Sequence, residues 1–162
     1  MKIETSVVIN CPIEDVFVYS TDPENTPEWQ TGLLESRVTS AGPIGAGSTI
    51  RDVRVFMGRQ AESTVQVIVY EPNKEFTLKV ESGEIRFKAR HLYESTGDGT
   101  KVTFIAEGRP NGFFKHAARL IARKMQQQFE SDFLKLKHVL EDVEESTVRS
   151  SPSLAASVQE YI

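Results

Sequence analysis

The sequence predicts an α+β domain in which a curved antiparallel sheet of six to seven strands wraps one long C-terminal helix, with two short helices after the first strand. Three observations carry this prediction. Residues 113–143 place Phe114, Ala118, Ile121, Met125, Phe129, Phe133, Leu136, Leu140 and Val143 at steps of three and four, one inward face of an amphipathic helix. Residues 48–107 alternate apolar and polar side chains between turn-forming residues. At 1.5 Å per residue the helix is roughly 46 Å long, too long to pack on one neighbouring helix, and a curved sheet is the surface wide enough to cover it.

With 162 residues, 39% of them hydrophobic, the chain suffices for one core and falls short of two. The 19 basic and 23 acidic residues leave a net charge of −4 and a pI near 5.5. Such a balance gives no general attraction for nucleic acid or acidic membranes. A single cysteine, Cys11, rules out an intramolecular disulfide and any cysteine cluster. The first residues lack an apolar signal core, and no apolar run reaches the length of a membrane span. The expectation is a cytoplasmic monomer or homodimer, without an integral membrane segment, nucleic-acid partner, metal or other cofactor.

In chain order, residues 2–9 read as a strand, with Ile3, Thr5, Val7 and Ile9 on one parity. Cys11 and Pro12 end it, and proline followed by Glu14 and Asp15, with Ile13, Val16 and Phe17 at helical spacing, starts a short helix. A second helical turn follows Asp22-Pro23, and Trp29 sits in the connection beyond it. Residues 33–40 read as a strand, and 42–47, rich in glycine, as a loop. Strands at 48–57, 60–70, 75–82, 84–94 and 100–107 form a meander, separated by Gly58-Arg59, by residues 71–74, by Gly83 and by residues 97–99. Parity marks the covered face: Val65, Val67 and Val69; Phe76, Leu78 and Val80; Ile85, Phe87, Ala89, His91 and Tyr93; Val102, Phe104 and Ala106. Lys79, Glu81, Arg86, Lys88, Arg90 and Lys101 take the solvated face. The helix carries Lys115, His116, Arg119, Arg123 and Lys124 early and Glu141, Asp142, Glu144 and Glu145 late, against its macrodipole, so packing must hold it. Residues 146–152 are polar and interrupt the pattern, while Leu154, Ala155, Val158 and Tyr161 are spaced for a last short helix.

Several short signatures fall in this order: Ile9-Asn10-Cys11-Pro12 with Val16-Phe17, Asp22-Pro23 with Trp29, Gly45-Ala46-Gly47, Tyr70-Glu71-Pro72, Gly97-Asp98-Gly99-Thr100, and Leu136-Lys137 with Leu140-Glu141. Together they resemble the SRPBCC superfamily, which includes START-type lipid-transfer domains and polyketide cyclase/dehydrase-like proteins. The resemblance covers residues 1–145 as one helix-grip domain and leaves 146–162 as a tail. It implies a deep, largely apolar cavity between sheet and helix, and no catalytic signature common to the superfamily transfers with it. Cys11 stands where an alanine is commoner.

A cavity also follows from the residues, because a strongly curved sheet does not close fully on a straight helix. Phe87, Phe104, Ile121, Met125 and Phe129 are its candidate walls, or else an interlocked, filled core. His91 points at the covered face and is the candidate acid or base; the alternative is an ordinary buried histidine. Tyr93 offers a phenol for a ligand oxygen, or is an amphipathic core residue. Arg51, sharing parity with Val53, Val55 and Met57, meets a carboxylate in the pocket or, on an edge or bulge, faces water. Trp29 caps the cavity mouth, as the resemblance suggests, or anchors the covering loop. The Gly45-Ala46-Gly47 segment precedes a strand and lacks a Walker lysine, so it is a turn. Cys11, near a helix start, is either an activated thiol or a buried cap. His116 and His138 have no paired ligand at metal spacing. Lys115, Arg119 and Arg123 form a stripe that greets an acidic partner or is simply solvated.

The leading expectation is therefore a binding protein for a small hydrophobic, lipid-like or polyketide-like molecule. A cyclase or dehydratase using His91 with Tyr93 or Arg51, and a protein-interaction module using the basic stripe and tail, are the alternatives.

Overall fold

The computed structural model describes residues 1–56, 58–82, 85–110 and 112–150. Met57, Gly83, Glu84 and the stretch from Leu154 to Tyr161 named above lie outside the described residues, as do the side chains of Ile85 and Phe114. The strands are β1 (Lys2–Ile9), β2 (Leu33–Val38), β3 (Thr49–Phe56), β4 (Arg59–Glu71), β5 (Glu75–Val80), β6 (Ile85–Thr96) and β7 (Gly99–Pro110). Helices α1 (Ile13–Thr21) and α2 (Thr26–Trp29) fill the β1 to β2 connection, and α3 (Ala118–Ser150) follows β7. All pairings are antiparallel, in the order β1-β7-β6-β5-β4-β3-β2. This is the seven-stranded sheet around a long C-terminal helix that the hydrophobic pattern predicts.

Helix α1 begins behind Pro12, whose fixed φ suits the entry to a helix, with Glu14 and Asp15 in the first turn. It buries Val16 and Phe17 and reaches Thr21, further than the apolar spacing alone suggests. Its last turn is polar yet buried, because the hydroxyls of Ser20 and Thr21 donate back to the carbonyls of Val16 and Phe17, at 2.6 and 2.8 Å. Gly99 lets the start of β7 press on the end of β1, since a Cβ there would stand 2.5 Å from the Ile9 carbonyl oxygen.

Strand β1 is an edge strand, and α3 runs along its free edge. Gln126 exchanges two hydrogen bonds with the Glu4 backbone, Oε1 accepting from N at 3.3 Å and Nε2 donating to O at 2.9 Å. Further along, the Lys137 ammonium donates to the Val8 carbonyl at 2.7 Å, and Glu141 accepts the Asn10 amide at 3.0 Å. Lys137 and Glu141 also pair with each other at 2.7 Å. Backbone groups that invite another strand are thus occupied by helix side chains. So fixed, α3 turns Ile121, Phe133, Leu136 and Leu140 into the core, with Met125 and Phe129 half-buried beside them.

Both ends of the helix differ from the expectation. A 3-10 turn at Gly112–Lys115 precedes it, and over a single turn an apolar pattern does not separate 3-10 from α geometry. At the far end α3 passes the expected break at 146 and continues to Ser150. The Ser146 and Thr147 hydroxyls donate to the Asp142 and Val143 carbonyls at 2.9 and 3.0 Å, so these polar residues are absorbed into the helix.

Phe133 is 2% exposed and packs on Trp29, His91 and Phe104. Phe133→Ala is expected to cost about 3–5 kcal/mol, read as a lowered denaturation midpoint; an unchanged midpoint would mean that this face of α3 is not holding the core.

Candidate functional site

Between the sheet and α3 lies a partly open cavity of about 60 Å³. Its inner walls are apolar, formed by Phe76 and Leu78 of β5, Phe87 and Ala89 of β6, Phe104 of β7 and Phe129 of α3. Thr21, Pro23 and Thr26 bring the α1 to α2 segment to its rim. Phe104 and Phe129 pack with ring centroids 4.5 Å apart and planes tilted by 40°, which narrows the space under the helix. The volume is well below the roughly 300–1,000 Å³ of drug-sized ligand sites.

His91 lies on the wall, as the β6 alternation predicts, caged by Phe76, Phe104 and Phe133. Its Nδ1 is 3.1 Å from the Phe76 carbonyl oxygen, a contact that requires the proton on Nδ1 and leaves Nε2 as the acceptor of the neutral ring. Burial lowers its pKa from 6.5 to about 4, the Phe76 carbonyl opposing only in part. The ring is neutral at physiological pH.

The other end of the cavity is polar. Gln30, after α2, joins Ser36 of β2 and Asp52 and Arg54 of β3 there. Asp52 is buried; its Oδ1 accepts the Ser36 hydroxyl at 2.6 Å, and its Oδ2 pairs with Arg54 Nη2 at 3.2 Å. The same Nη2 donates to Gln30 Oε1 at 3.3 Å. Strand pairing produces the cluster: Ser36 lies opposite Asp52, and Ile50, two residues earlier, lies opposite the inward Val65. Ile50, Asp52 and Arg54 therefore share the inner face.

This corrects the expected parity of β3. Arg51 lies on the outer face, where Nε and Nη2 bind the Glu62 carboxylate at 2.6 and 2.7 Å and Nη1 reaches Glu35 at 3.1 Å. Val53 and Val55 share the parity of Arg51 and point away from the cavity, while the inward row carries Asp52 and Arg54 between Ile50 and Phe56. A usable signal lay in Ile50, which aligns with Val65 and carries the inner parity on to Asp52 and Arg54.

Four other candidates, Tyr93, Trp29, Ile121 and Met125, also stand apart from the cavity wall. Tyr93 is buried against α1, its hydroxyl 2.9 Å from Ser20 Oγ and its ring edge-on to Phe17. Trp29 packs on Phe133 with ring centroids 5.4 Å apart, tying α2 to α3, and its indole nitrogen has no hydrogen-bond partner among the described residues. Ile121 is buried in α3 outside the cavity lining. Met125 packs at the margin of the core, while Phe87, Phe104 and Phe129 meet at the cavity. Cys11 is buried and its thiol is pushed up to about 12, first by desolvation, so it is no activated nucleophile. No cluster suited to a metal occurs among the described residues, and no described helix is long and apolar enough to cross a membrane.

The family model for polyketide cyclase / dehydrase and lipid transport matches residues 1–141. Solved structures of like fold include TTHA0849 from Thermus thermophilus, at 20% identity and TM-score 0.75, over 88% of this chain and 99% of that one. A START superfamily protein from Mycobacterium smegmatis has TM-score 0.75 at 14% identity, over 88% and 98% of the two chains. The di-domain ARO/CYC BexL from the BE-7585A biosynthetic pathway has TM-score 0.73 at 16% identity, 89% of this chain covering 47% of that one. No curated protein matches the chain by sequence.

Protonating a buried histidine is costly, so the unfolded chain takes up a proton below pH 6.5 that the folded protein resists until about pH 4. Stability is therefore expected to fall as pH drops through this window, by up to about 3 kcal/mol from this residue. His91→Asn, which retains a donor for the Phe76 carbonyl, is expected to flatten the pH dependence of the denaturation midpoint; equal slopes would contradict the buried neutral ring.

Proposed function

Because the chain belongs to the polyketide cyclase / dehydrase and lipid transport family, we propose that it binds a small hydrophobic molecule in the cavity between the sheet and α3. The observation that carries the reading is the cavity itself, with aromatic walls at one end and hydrogen-bonding groups at the other. Recognition sites for small molecules combine these two features.

A volume of about 60 Å³ has room for a few water molecules. A lipid-like or polyketide-like ligand therefore needs the wall to yield, and half-buried Phe129 of that wall, with half-buried Met125 one turn before it on α3, is suited to it. Methionine adapts to new shapes at little cost. Carriage is favoured over cyclase or dehydratase chemistry by the state of His91. A base with a pKa near 4 is poorly matched to proton abstraction at neutral pH, and Tyr93 is turned to Ser20.

The test is titration with N-phenyl-1-naphthylamine, a neutral apolar dye, of wild type and of Ala89→Leu, which fills the cavity from β6. Saturable binding to wild type and an affinity at least ten-fold weaker in a folded Ala89→Leu are expected. Equal affinities, or no saturable binding to wild type, would overturn the proposal.

A further inference from the structure

The polar end of the cavity pairs an acid with a base. Asp52 and Arg54 sit two residues apart on the inner face of β3 and are paired at 3.2 Å, their side chains 11% and 33% exposed. Each neutralises the other, so the cluster with Ser36 and Gln30 brings no net charge to the cavity. Its hydrogen-bonding capacity, however, is not exhausted. Arg54 uses only Nη2, for Asp52 and Gln30, while Nε and Nη1 have no partner among the described residues. A guanidinium carries five N–H donors and accepts nothing. Asp52 holds Ser36 and Arg54 with one oxygen each, and each carboxylate oxygen has a second lone pair.

A neutral oxygen meets this cluster without disturbing it. A ligand carbonyl accepts from the unused Arg54 N–H groups, and a ligand hydroxyl donates to Asp52. A carboxylate meets a different balance: the positive charge it needs is already committed, and Asp52 stands beside it as a second, like charge in a poorly solvated place. We infer that the site selects a neutral apolar molecule with a carbonyl or hydroxyl end, docked on Arg54 and Asp52, and discriminates against the corresponding carboxylic acid anion. This inference rests on the ligand-binding reading above and goes further in naming the head group and the two residues that choose it.

An Asp–Arg pair along one strand can also serve the sheet alone, and a purely structural role predicts equal losses for all ligands. The two are separated by charge selectivity. Acetophenone and benzoate share a ring and differ chiefly in the charge of the head group at pH 7.5. Each is used to displace N-phenyl-1-naphthylamine from wild type, Asp52→Asn and Arg54→Gln, with melting curves on each variant. Wild type is expected to bind acetophenone at least ten-fold more tightly than benzoate. Asp52→Asn keeps an acceptor for Ser36 and frees the Arg54 charge, so benzoate should tighten by about ten-fold relative to wild type, a gain that loss of stability does not produce. Arg54→Gln should weaken acetophenone by about ten-fold while the dye still binds.

If the dye binds but wild type favours benzoate or shows no preference, or if Asp52→Asn leaves the ratio unchanged, the head-group assignment fails and the cavity reading stands. If no probe binds wild type saturably, both fail.

Discussion

The whole arrangement depends on how α3 is held against β1. An amphipathic helix lying on a curved sheet can slide and roll, since burial of apolar surface is non-directional. Here Gln126, Lys137 and Glu141 reach the backbone of Glu4, Val8 and Asn10, three points along one strand edge. These bonds are directional, and they fix both the rotation and the register of the helix. Rotation decides that Phe129 and Phe133 face inward; register decides that they meet Phe104 and His91. A free strand edge and an unpartnered helix are each a liability alone, and each satisfies the other.

From that constraint the cavity follows. With α3 held at the β1 edge, β2 and β3 are the strands furthest from it in the sheet order, and α2 touches both β2 and α3. The aromatic residues of β5, β6 and β7 lie where the helix covers the sheet. Polar residues Ser36, Asp52 and Arg54 lie on the strands most distant from β1 in the sheet order. A gradient from dry to polar thus runs across the sheet, set by the distance of each strand from the helix.

The same gradient explains what the sequence reveals and what it hides. On β6 and β7 the inner face is largely apolar, so simple alternation through Phe87, Ala89 and His91, and through Val102, Phe104 and Ala106, identifies the covered face, of which Phe87, Ala89, His91 and Phe104 line the cavity. On β3 the inner face carries Asp52 and Arg54, and the rule that apolar means inward selects Arg51 and Val53 instead. The rule fails because Asp52 is buried on the inner face through its hydrogen bonds to Ser36 and Arg54, while Val53 is buried on the other face. Similarly the polar end of α3 reads as a break, while Ser146 and Thr147 satisfy their hydroxyls within the helix. Cavity volume is hidden for another reason: whether Phe104 and Phe129 touch or part depends on side-chain packing in three dimensions, which periodicity does not encode.

Most buried polar groups of the domain are matched locally. Thr77 donates to Glu75, which also binds Arg90; the Tyr93 hydroxyl meets Ser20; Asp132 accepts the Thr31 amide and the Gln128 side chain. Such matching is what an interior of low polarity requires. Against this background the cavity stands out in two places. Arg54 has donors to spare, and His91, committed to Phe76 through Nδ1, offers only an acceptor from its other nitrogen. A ligand that enters between Phe104 and Phe76 gains its affinity from apolar burial, which is nearly indifferent to identity. Discrimination then falls to the groups with hydrogen-bonding capacity left at the cavity, Arg54 and Asp52 for the head group and His91 Nε2 beside the aromatic wall.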